Sequence, residues 1–511
     1  MELNAAQFVR EAAAATPEQR AKPAQLSPLA LMVAAQPIID AKSPIVIAGF
    51  VRIAEFATIA LVGIAAYFAY VYPQYAHVFD LYYIGTAFTV AALAVLAFQA
   101  VDIYHIHAFR RPANQLAKLT VAWSLVFLSL VAVMFFARLG DLYSRVWLAG
   151  YYGTGLLSLY AFRLVLYGKV RRWSREGRLD RRAVLVGGGE PGEALVDALA
   201  QQQDSEVRLL GVFDDRGDDR APNFCGGLPK LGTVDDLVEF ARKTRVDLVL
   251  FSLPISAETR ILQMLKKLWV LPVDIRLSAH TNQLRFRPRS YSYIGSVPVL
   301  DVFDRPIADW DVVMKSLFDK VVGGLALIAL SPVMLLVALA IKLESRGPVL
   351  FKQKRYGFNN ELIEVFKFRS MYVDQSDATA AKLVTKGDPR VTKVGRVIRK
   401  TSLDELPQLF NVVFQGNLSL VGPRPHAVHA KAVDRLYDEA VDGYFARHRV
   451  KPGITGWAQI NGWRGEIDNE EKIRKRVEFD LYYIENWSAL FDTYILLKTP
   501  LALLTKSENA Y

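Results

Sequence analysis

The sequence predicts a multi-domain integral membrane protein: a four-helix transmembrane bundle, a small α/β domain, and a polar C-terminal domain carrying a re-entrant membrane helix. Three observations predict it. Apolar stretches of near-bilayer length recur early in the 511 residues, and short apolar runs then alternate with polar helical segments. A fifth apolar stretch is interrupted by Ser-Pro and has Lys and Arg on both flanks. A chain this long exceeds one core, and 52% hydrophobic residues beside 22% charged ones fit membrane segments joined to soluble domains.

The bundle comes first. Residues 1–45 read as a cytoplasmic tail with no apolar signal-peptide core, and four apolar stretches follow within 46–170, at 50–72, 79–101, 118–138 and 146–168. The connection from His105 to Lys118 carries Arg110 and Arg111, and Arg171, Arg172, Arg175, Arg178, Arg181 and Arg182 follow the last stretch, whereas 72–80 has no Lys or Arg. That bias predicts both ends inside, although Arg138 and Arg145 in the third loop run against it. The net charge of +11 therefore reads as membrane-surface and phosphate contacts, with membrane lipids as partners and no nucleic acid. The single cysteine, Cys225, excludes an internal disulfide framework.

Residues 180–292 read as a Rossmann-like cytoplasmic domain, with strands expected at 183–186, 209–213, 246–251 and 273–276. The first runs into Gly187-Gly188-Gly189-Glu190-Pro191-Gly192, a formal G-x-G-x-x-G, and Asp214 lies just over 20 residues on. Gly187, Gly189, Gly192 and Asp214 could hold a dinucleotide through a tight turn, a helix N-terminus and a ribose carboxylate. A structural or oligomerising domain explains the same residues, and a homodimer stays open.

After a linker at 293–314, the stretch 321–341 is long enough to span, yet Lys315, Lys320, Lys342 and Arg346 make both flanks basic. Ser331 and Pro332 sit at its midpoint, where proline removes a donor and a Ser hydroxyl can cover the freed carbonyl. The expectation is a helix that enters and leaves by the cytoplasmic leaflet; a kinked spanning helix is the alternative. Residues 344–511 are too polar to span, and 487–504 either lies in the interface plane or packs on the core.

The densest polar constellation is Arg396, Arg399, Lys400, Thr401, Ser402, Asp404 and Glu405, followed by Pro407 and an apolar-periodic run. Pro407 places a helix start near 402–404, with both acids at its positive end. Ser402 with Glu405 also spells a capping box, and Asp404 is itself a good N-cap, so plain capping competes with chemistry. The neighbourhood favours chemistry: Arg399 and Lys400 precede the acids and Arg424, between Pro423 and Pro425, follows. Acids among arginines fit a metal and phosphates, with one acid as nucleophile and one as metal ligand.

The strings Arg399-Lys-Thr-Ser-Leu-Asp-Glu-Leu-Pro-Gln-Leu-Phe-Asn411, Ser419-Leu-Val-Gly-Pro-Arg-Pro425, Lys451-Pro-Gly-Ile-Thr-Gly-Trp457 and Phe366-Lys-Phe-Arg-Ser-Met371 together resemble the bacterial sugar transferase domain of polyprenyl-phosphate hexose-1-phosphate transferases. The resemblance covers 315–511 and implies an α+β sugar-phosphate transferase domain in the bacterial inner membrane that starts exopolysaccharide synthesis with glucose- or galactose-1-phosphate. It implies Asp404 as nucleophile on a UDP-sugar, Glu405 as the Mg2+ ligand, and undecaprenyl phosphate as acceptor. Arg399, Arg424, Lys367, Arg369, Pro423 and Pro425 would line the substrates, and Ser331 and Pro332 match the family's helix break.

Two rival readings are weaker. A nucleotide-sugar dehydratase or epimerase needs a Tyr-x-x-x-Lys pair in its nucleotide domain, and the match here, Tyr494 with Lys498, lies in a distant apolar segment. A non-enzymatic scaffold leaves the acid and arginine cluster unexplained. His426 and His429 lack a third metal ligand, and Tyr482, Tyr483 and Trp487 read as core packing.

Overall fold

A computed structural model describes residues 26–37, 41–74, 79–105, 109, 112–140, 142–201, 207–216, 224–253, 257–278, 292–294, 297–373, 388–426, 431–432, 435–436, 444–463, 465 and 470–505. The chain forms two compact units: Pro37–Arg181, and the remainder, which joins the N-terminal helix α1 (Pro28–Ala34) to everything after Arg181.

The first unit contains α2 (Pro44–Ala66), continued through a π-helical turn (Tyr67–Val71) to Gln74, then α3 (Leu81–Ala100), α4 (Pro112–Phe136) and α5 (Arg145–Arg175). Ser43, Asp80 and Ser144 accept backbone N–H groups at the starts of α2, α3 and α5, satisfying donors that a helix leaves open. Trp147 Nε1 donates to the Gly63 carbonyl at 3.1 Å and Tyr151 OH to that of Ile59 at 3.1 Å, so the buried rings bring their polar atoms to backbone. A Cβ on Gly63 would stand 2.6 Å from the Tyr151 ring, and glycine there permits the close approach of α2 to α5. Glu55 is fully buried and accepts from Arg163 Nη2 at 2.9 Å and Tyr104 OH at 2.7 Å, the paired state that an ion in an apolar bundle requires.

The protein is a membrane protein with four helices, among the described residues, long and apolar enough to cross a bilayer. Three of them match expected spans and the fourth contains the stretch 321–341. Three lie in the first unit, Pro44–Gln74, Leu81–Ala100 and Ala113–Phe136; the fourth is Asp309–Glu344. The stretch expected as a span at 146–168 is the middle of α5, which falls short in apolarity because Arg163 and several tyrosines interrupt it.

In the second unit, an eight-stranded sheet follows β1 (Arg181–Val186), β2 (Val207–Phe213), β3 (Phe224–Cys225), β4 (Leu228–Gly232), β5 (Leu248–Phe251), β6 (Asp274–Ser278), β7 (Ser292–Ile294) and β8 (Val297–Phe303). Their spatial order is β3-β4-β2-β1-β5-β6-β8-β7, with β1–β5 and β5–β6 parallel and β6–β8 antiparallel. Helices α6 (Glu190–Ala200), α7 (Val234–Lys243) and α8 (Glu258–Leu268) accompany the sheet. All four strands read from apolar runs are present.

Two expected boundaries differ. The segment taken as a linker supplies β8, because Val297 and Val299 alternate inward and the strand pairs with β6 from Val299 to Phe303. Part of the expected tail is core: Leu26, Ala30 and Ala34 pack with the sheet's apolar residues, and Ser27 Oγ donates to the Leu231 carbonyl at 3.0 Å.

Helix α9 (Asp309–Glu344) runs 36 residues without interruption through Pro332. The proline leaves the Ile328 carbonyl without its helical donor, and Ser331 Oγ donates to that oxygen at 2.8 Å. Only 17% of its apolar window is buried, with Leu325, Ile328, Leu335, Leu339 and Leu343 exposed. Its polar first third is anchored: Asp319 Oδ1 accepts from Ser419 Oγ and the Leu420 N–H, each at 3.0 Å, and Lys315 Nζ reaches Asp492 Oδ2 at 2.5 Å.

Beyond α9, β9 (Leu350–Tyr356) pairs antiparallel with β10 (Leu362–Phe368), placing Arg355 opposite Ile363 and Lys367 opposite Phe351. Helix α10 (Lys393–Lys400) leads to a 3-10 turn (Leu403–Glu405), and β11 (Ser419–Val421) pairs in parallel with β12 (Gly453–Thr455). A Cβ on Gly453 would meet the Gly422 nitrogen at 2.1 Å, so this crossing requires glycine. The chain then adds α11 (Glu470–Glu485) and α12 (Ala489–Thr505), where Leu490, Tyr494, Leu497 and Leu501 form an exposed apolar stripe.

Candidate active site

Four elements converge on the two acids. The 3-10 turn carries Asp404 and Glu405, β10 carries Lys367, α10 carries Arg399, and the loop after β11 carries Arg424. Glu405 Oε1 accepts from Lys367 Nζ at 2.9 Å and Arg424 Nη2 at 2.6 Å, while Oε2 accepts from Arg424 Nη1 at 3.3 Å. The capping alternative fails here: Ser402 stands in the left-handed region at φ +60° and makes no capping hydrogen bond, and Glu405 turns toward the cations. Asn411 clamps the turn to β10. Its Nδ2 donates to the Glu364 carbonyl at 2.7 Å and its Oδ1 accepts the Phe366 N–H at 2.9 Å, one residue from Lys367.

The two carboxyls are driven apart. For Asp404, burial and then the Glu405 charge push the carboxyl up, against Lys367, Arg399 and Arg424. For Glu405, burial alone would also raise it, but Arg424, Lys367 and Arg355 together hold it well below the usual carboxylate range. One acid is thus fixed as an anion while its neighbour titrates higher, an arrangement that gives adjacent carboxyls different tasks. Burial lowers the Lys367 ammonium, which keeps its partner Glu405.

A second layer supports Arg424. Its carbonyl accepts from Arg447 Nη2 at 2.7 Å, and the same guanidinium donates to Asp480 Oδ2 at 2.6 Å. His426 Nδ1 lies 2.7 Å from Tyr444 OH and 2.6 Å from Arg447 Nη1. Burial, then the charges of Arg447, Arg476 and Arg355, hold His426 well below its usual range, as a neutral ring. Arg355 Nη1 donates to the Pro425 carbonyl, and burial brings this guanidinium down to about 10.

Residues 310–506 match the family described as bacterial sugar transferase, and 99–279 match a CoA-binding domain family. An undecaprenyl-phosphate glucose phosphotransferase of Komagataeibacter xylinus is 43% identical over 331 residues, covering 63% of this chain and 59% of that protein. UDP-glucose:undecaprenyl-phosphate glucose-1-phosphate transferases of Xanthomonas campestris pv. campestris and Escherichia coli (strain K12) are 35% and 36% identical. These alignments cover 83% and 80% of this chain and 87% of each relative. The chain belongs to the bacterial sugar transferase family.

In this sugar transferase the expected substrate residues divide. Arg399, Lys367 and Arg424 act electrostatically on Asp404, with Arg399 Nε also held by Ser370 Oγ at 2.8 Å. Arg369 does not join them. It is buried and donates to the Ser345 and Arg346 carbonyls, each at 2.8 Å, closing the C-terminal end of α9, because β10 ends at Phe368 and the chain turns away. Pro423 and Pro425 present carbonyls to Gly453 N–H and Arg355, so their part is to fix the Arg424 loop. Sequence reading missed Arg355, Asn411 and Arg447. The alternation of β9 marks Arg355, but nothing local marks a buried guanidinium 23 residues from the carbonyl it holds.

The sugar transferase's glycine loop joins β1 to α6, with positive φ at Gly187 and Gly189, and a Cβ on Gly192 would stand 3.0 Å from the Gly187 carbonyl. Asp214 is engaged in the loop itself: Oδ2 accepts the Gly188 N–H at 2.8 Å and Arg216 Nε at 2.9 Å, and Arg216 Nη2 donates to the Gly188 carbonyl at 2.7 Å. Among the described residues no group of three or more His, Cys, Asp or Glu forms a metal ligand set. His426 is committed to Tyr444 and Arg447; His429 lies outside the described residues.

Proposed function

We propose that this protein transfers glucose-1-phosphate from UDP-glucose to undecaprenyl phosphate, releasing UMP, as the first membrane step of exopolysaccharide assembly. The observation that carries the reading is the Asp404–Glu405 pair, one carboxyl raised and the other held ionised, within a ring of Lys367, Arg399 and Arg424. The names of the relatives supply the substrate class.

Asp404 attacks the sugar-bearing phosphorus; the P–O bond to UMP breaks and its electron pair leaves with UMP, giving an aspartyl phosphosugar. An anionic oxygen of undecaprenyl phosphate then attacks the same phosphorus and Asp404 leaves as carboxylate, so no net proton is needed. Lys367 and Arg424 face the charge that moves from donor to leaving group. Arg399, adjacent to Asp404 in charge, orients a phosphate of either substrate.

Glu405 is the residue that would hold Mg2+. Three donors occupy its roughly four lone-pair positions, leaving room for one more bond at Oε2, and the remaining ligands would come from the diphosphate and water. When bound, Mg2+ would neutralise diphosphate charge. The long exposed face of α9, with Ser331 covering the carbonyl freed by Pro332, supports the inference that α9 enters and leaves by the cytoplasmic leaflet of the inner membrane. There the site meets a soluble donor and a lipid phosphate.

The test is Mg2+-dependent UMP release from a panel of UDP-sugars in membranes containing undecaprenyl phosphate. UDP-glucose should give the highest kcat/KM, and Asp404→Asn should lower it by about 10³ or more. Near-normal turnover by Asp404→Asn would sink the nucleophile assignment.

A further inference from the structure

A cavity of about 260 Å³ begins at the catalytic turn, where Ser402, Glu405 and Arg424 line it. Beyond that polar end its walls are mostly apolar, with Ala326 and Leu330 from α9, Leu406 and Leu409 after the turn, and Leu496 and Ala502 from α12. Both walling helices also expose hydrocarbon. On α9, Leu325 and Ile328 are 64% and 73% exposed; on α12, Leu490, Leu497 and Leu501 are 83%, 72% and 64% exposed. One aliphatic space is therefore bounded by the reacting carboxylates and by two helices whose outer faces suit a bilayer.

A UDP-sugar has no part that matches such a wall, since base, ribose, diphosphate and hexose are all polar. A prenyl chain does. An apolar cavity of about 150 Å³ accepts one benzene, so this one has room for on the order of ten carbons. We propose that the cavity holds the first two or so isoprene units of the polyprenyl phosphate acceptor, with its phosphate at the Arg424 and Ser402 end. This rests on the transfer reaction proposed above. The anchor from Lys315 to Asp492 ties α9 to α12 and so fixes the width between the two walls.

The experiment uses the full chain in detergent, with UDP-glucose and undecaprenyl phosphate as substrates. Ala326→Phe fills the cavity, and Ala326→Val fills it less should the larger ring prevent folding. Leu497→Phe adds bulk to the outer face of α12 instead. The expected result is a rise of about ten-fold or more in KM for undecaprenyl phosphate with Ala326→Phe and a smaller rise with Ala326→Val, because buried CH2 contacts are lost. KM for UDP-glucose should stay within about two-fold, and Leu497→Phe should change neither. As a second readout, a photoreactive geranyl phosphate should label residues 326–330 or 496–502. Unchanged acceptor KM in both Ala326 variants, a rise in donor KM instead, or labelling confined to the exposed stripe would overturn the proposal. An unsubstituted protein that released no UMP with any UDP-sugar would overturn the transfer reaction, and this proposal with it.

Discussion

Arg424 Nη2 stands 2.6 Å from Glu405 Oε1, and Lys367 Nζ reaches the same oxygen at 2.9 Å. Both cations come from segments outside the turn that carries Glu405, so the carboxylate is the point where β10, the 3-10 turn and the loop after β11 are joined. The planar fork of Arg424 touches the two carboxylate oxygens through two separate nitrogens, a geometry that an ammonium does not offer.

Arg424→Lys should therefore lower kcat/KM for UMP release by about a hundred-fold, the scale of losing one preorganised electrostatic contact. Steady-state kinetics with UDP-glucose checks this. A change under about three-fold would mean that the fork serves only to hold the loop.

The opposed carboxyls make the rate depend on pH in a definite direction. The proposed nucleophile, Asp404, would attack only when ionised, and its folded-state value is raised, so activity should climb with pH along a limb lying above the ordinary Asp value of about 3.9. Glu405→Gln removes the adjacent negative charge that helps raise Asp404, so the residual activity should show that limb shifted toward lower pH. Lys367→Met removes a stabilising cation and should shift it upward. The kcat/KM profiles of the three proteins decide, and a limb that stays fixed in both variants would refute Asp404 as the titrating group.

How far the site could be read beforehand follows from where its determinants lie. Asp404, Glu405, Arg399 and Arg424 sit in short strings whose residue types already imply phosphate chemistry, and the fold brings them together. Arg369 shows the limit. It lies two residues after Lys367, the spacing that keeps neighbours on one face of a strand, but the strand stops at Phe368 and Arg369 closes α9 instead. Strands with apolar runs were legible; β8, antiparallel between β6 and β7, was hidden because Pro298 and Asp301 interrupt its apolar residues and make it resemble a connection. Helix α5 holds the fourth expected stretch and packs through Trp147, Tyr151 and Leu159 around a buried Arg163, a polar anchor that an apolar run does not reveal.

Arg447 is fully buried between Asp480 and the Arg424 carbonyl. Arg447→Leu would strand Asp480 without its partner, and the expected loss is about 3–5 kcal/mol of stability, read as a lower thermal midpoint in detergent. Adding Asp480→Leu should recover part of that loss, because the uncompensated charge is gone. Activity should not recover with it, since the Arg424 carbonyl still lacks its donor. Recovery of both would assign Arg447 a purely structural part.

The path of α9 can be tested through its broken ladder. In a Cys225→Ser background, Met314→Cys and Arg346→Cys flank the apolar stretch, and Met314 is 47% exposed. If α9 enters and leaves by one leaflet, a membrane-impermeant maleimide applied to intact cells should label neither cysteine, and both should react once the cells are opened. Pro332→Ala restores a backbone N–H that can bond the Ile328 carbonyl now served by Ser331, closing the helical ladder at that point. In that background a fraction of Arg346→Cys should become reachable from outside, because a straight apolar helix of this length can span. Labelling of Arg346→Cys from outside with Pro332 intact would overturn the re-entrant path and place the two flanks on opposite faces.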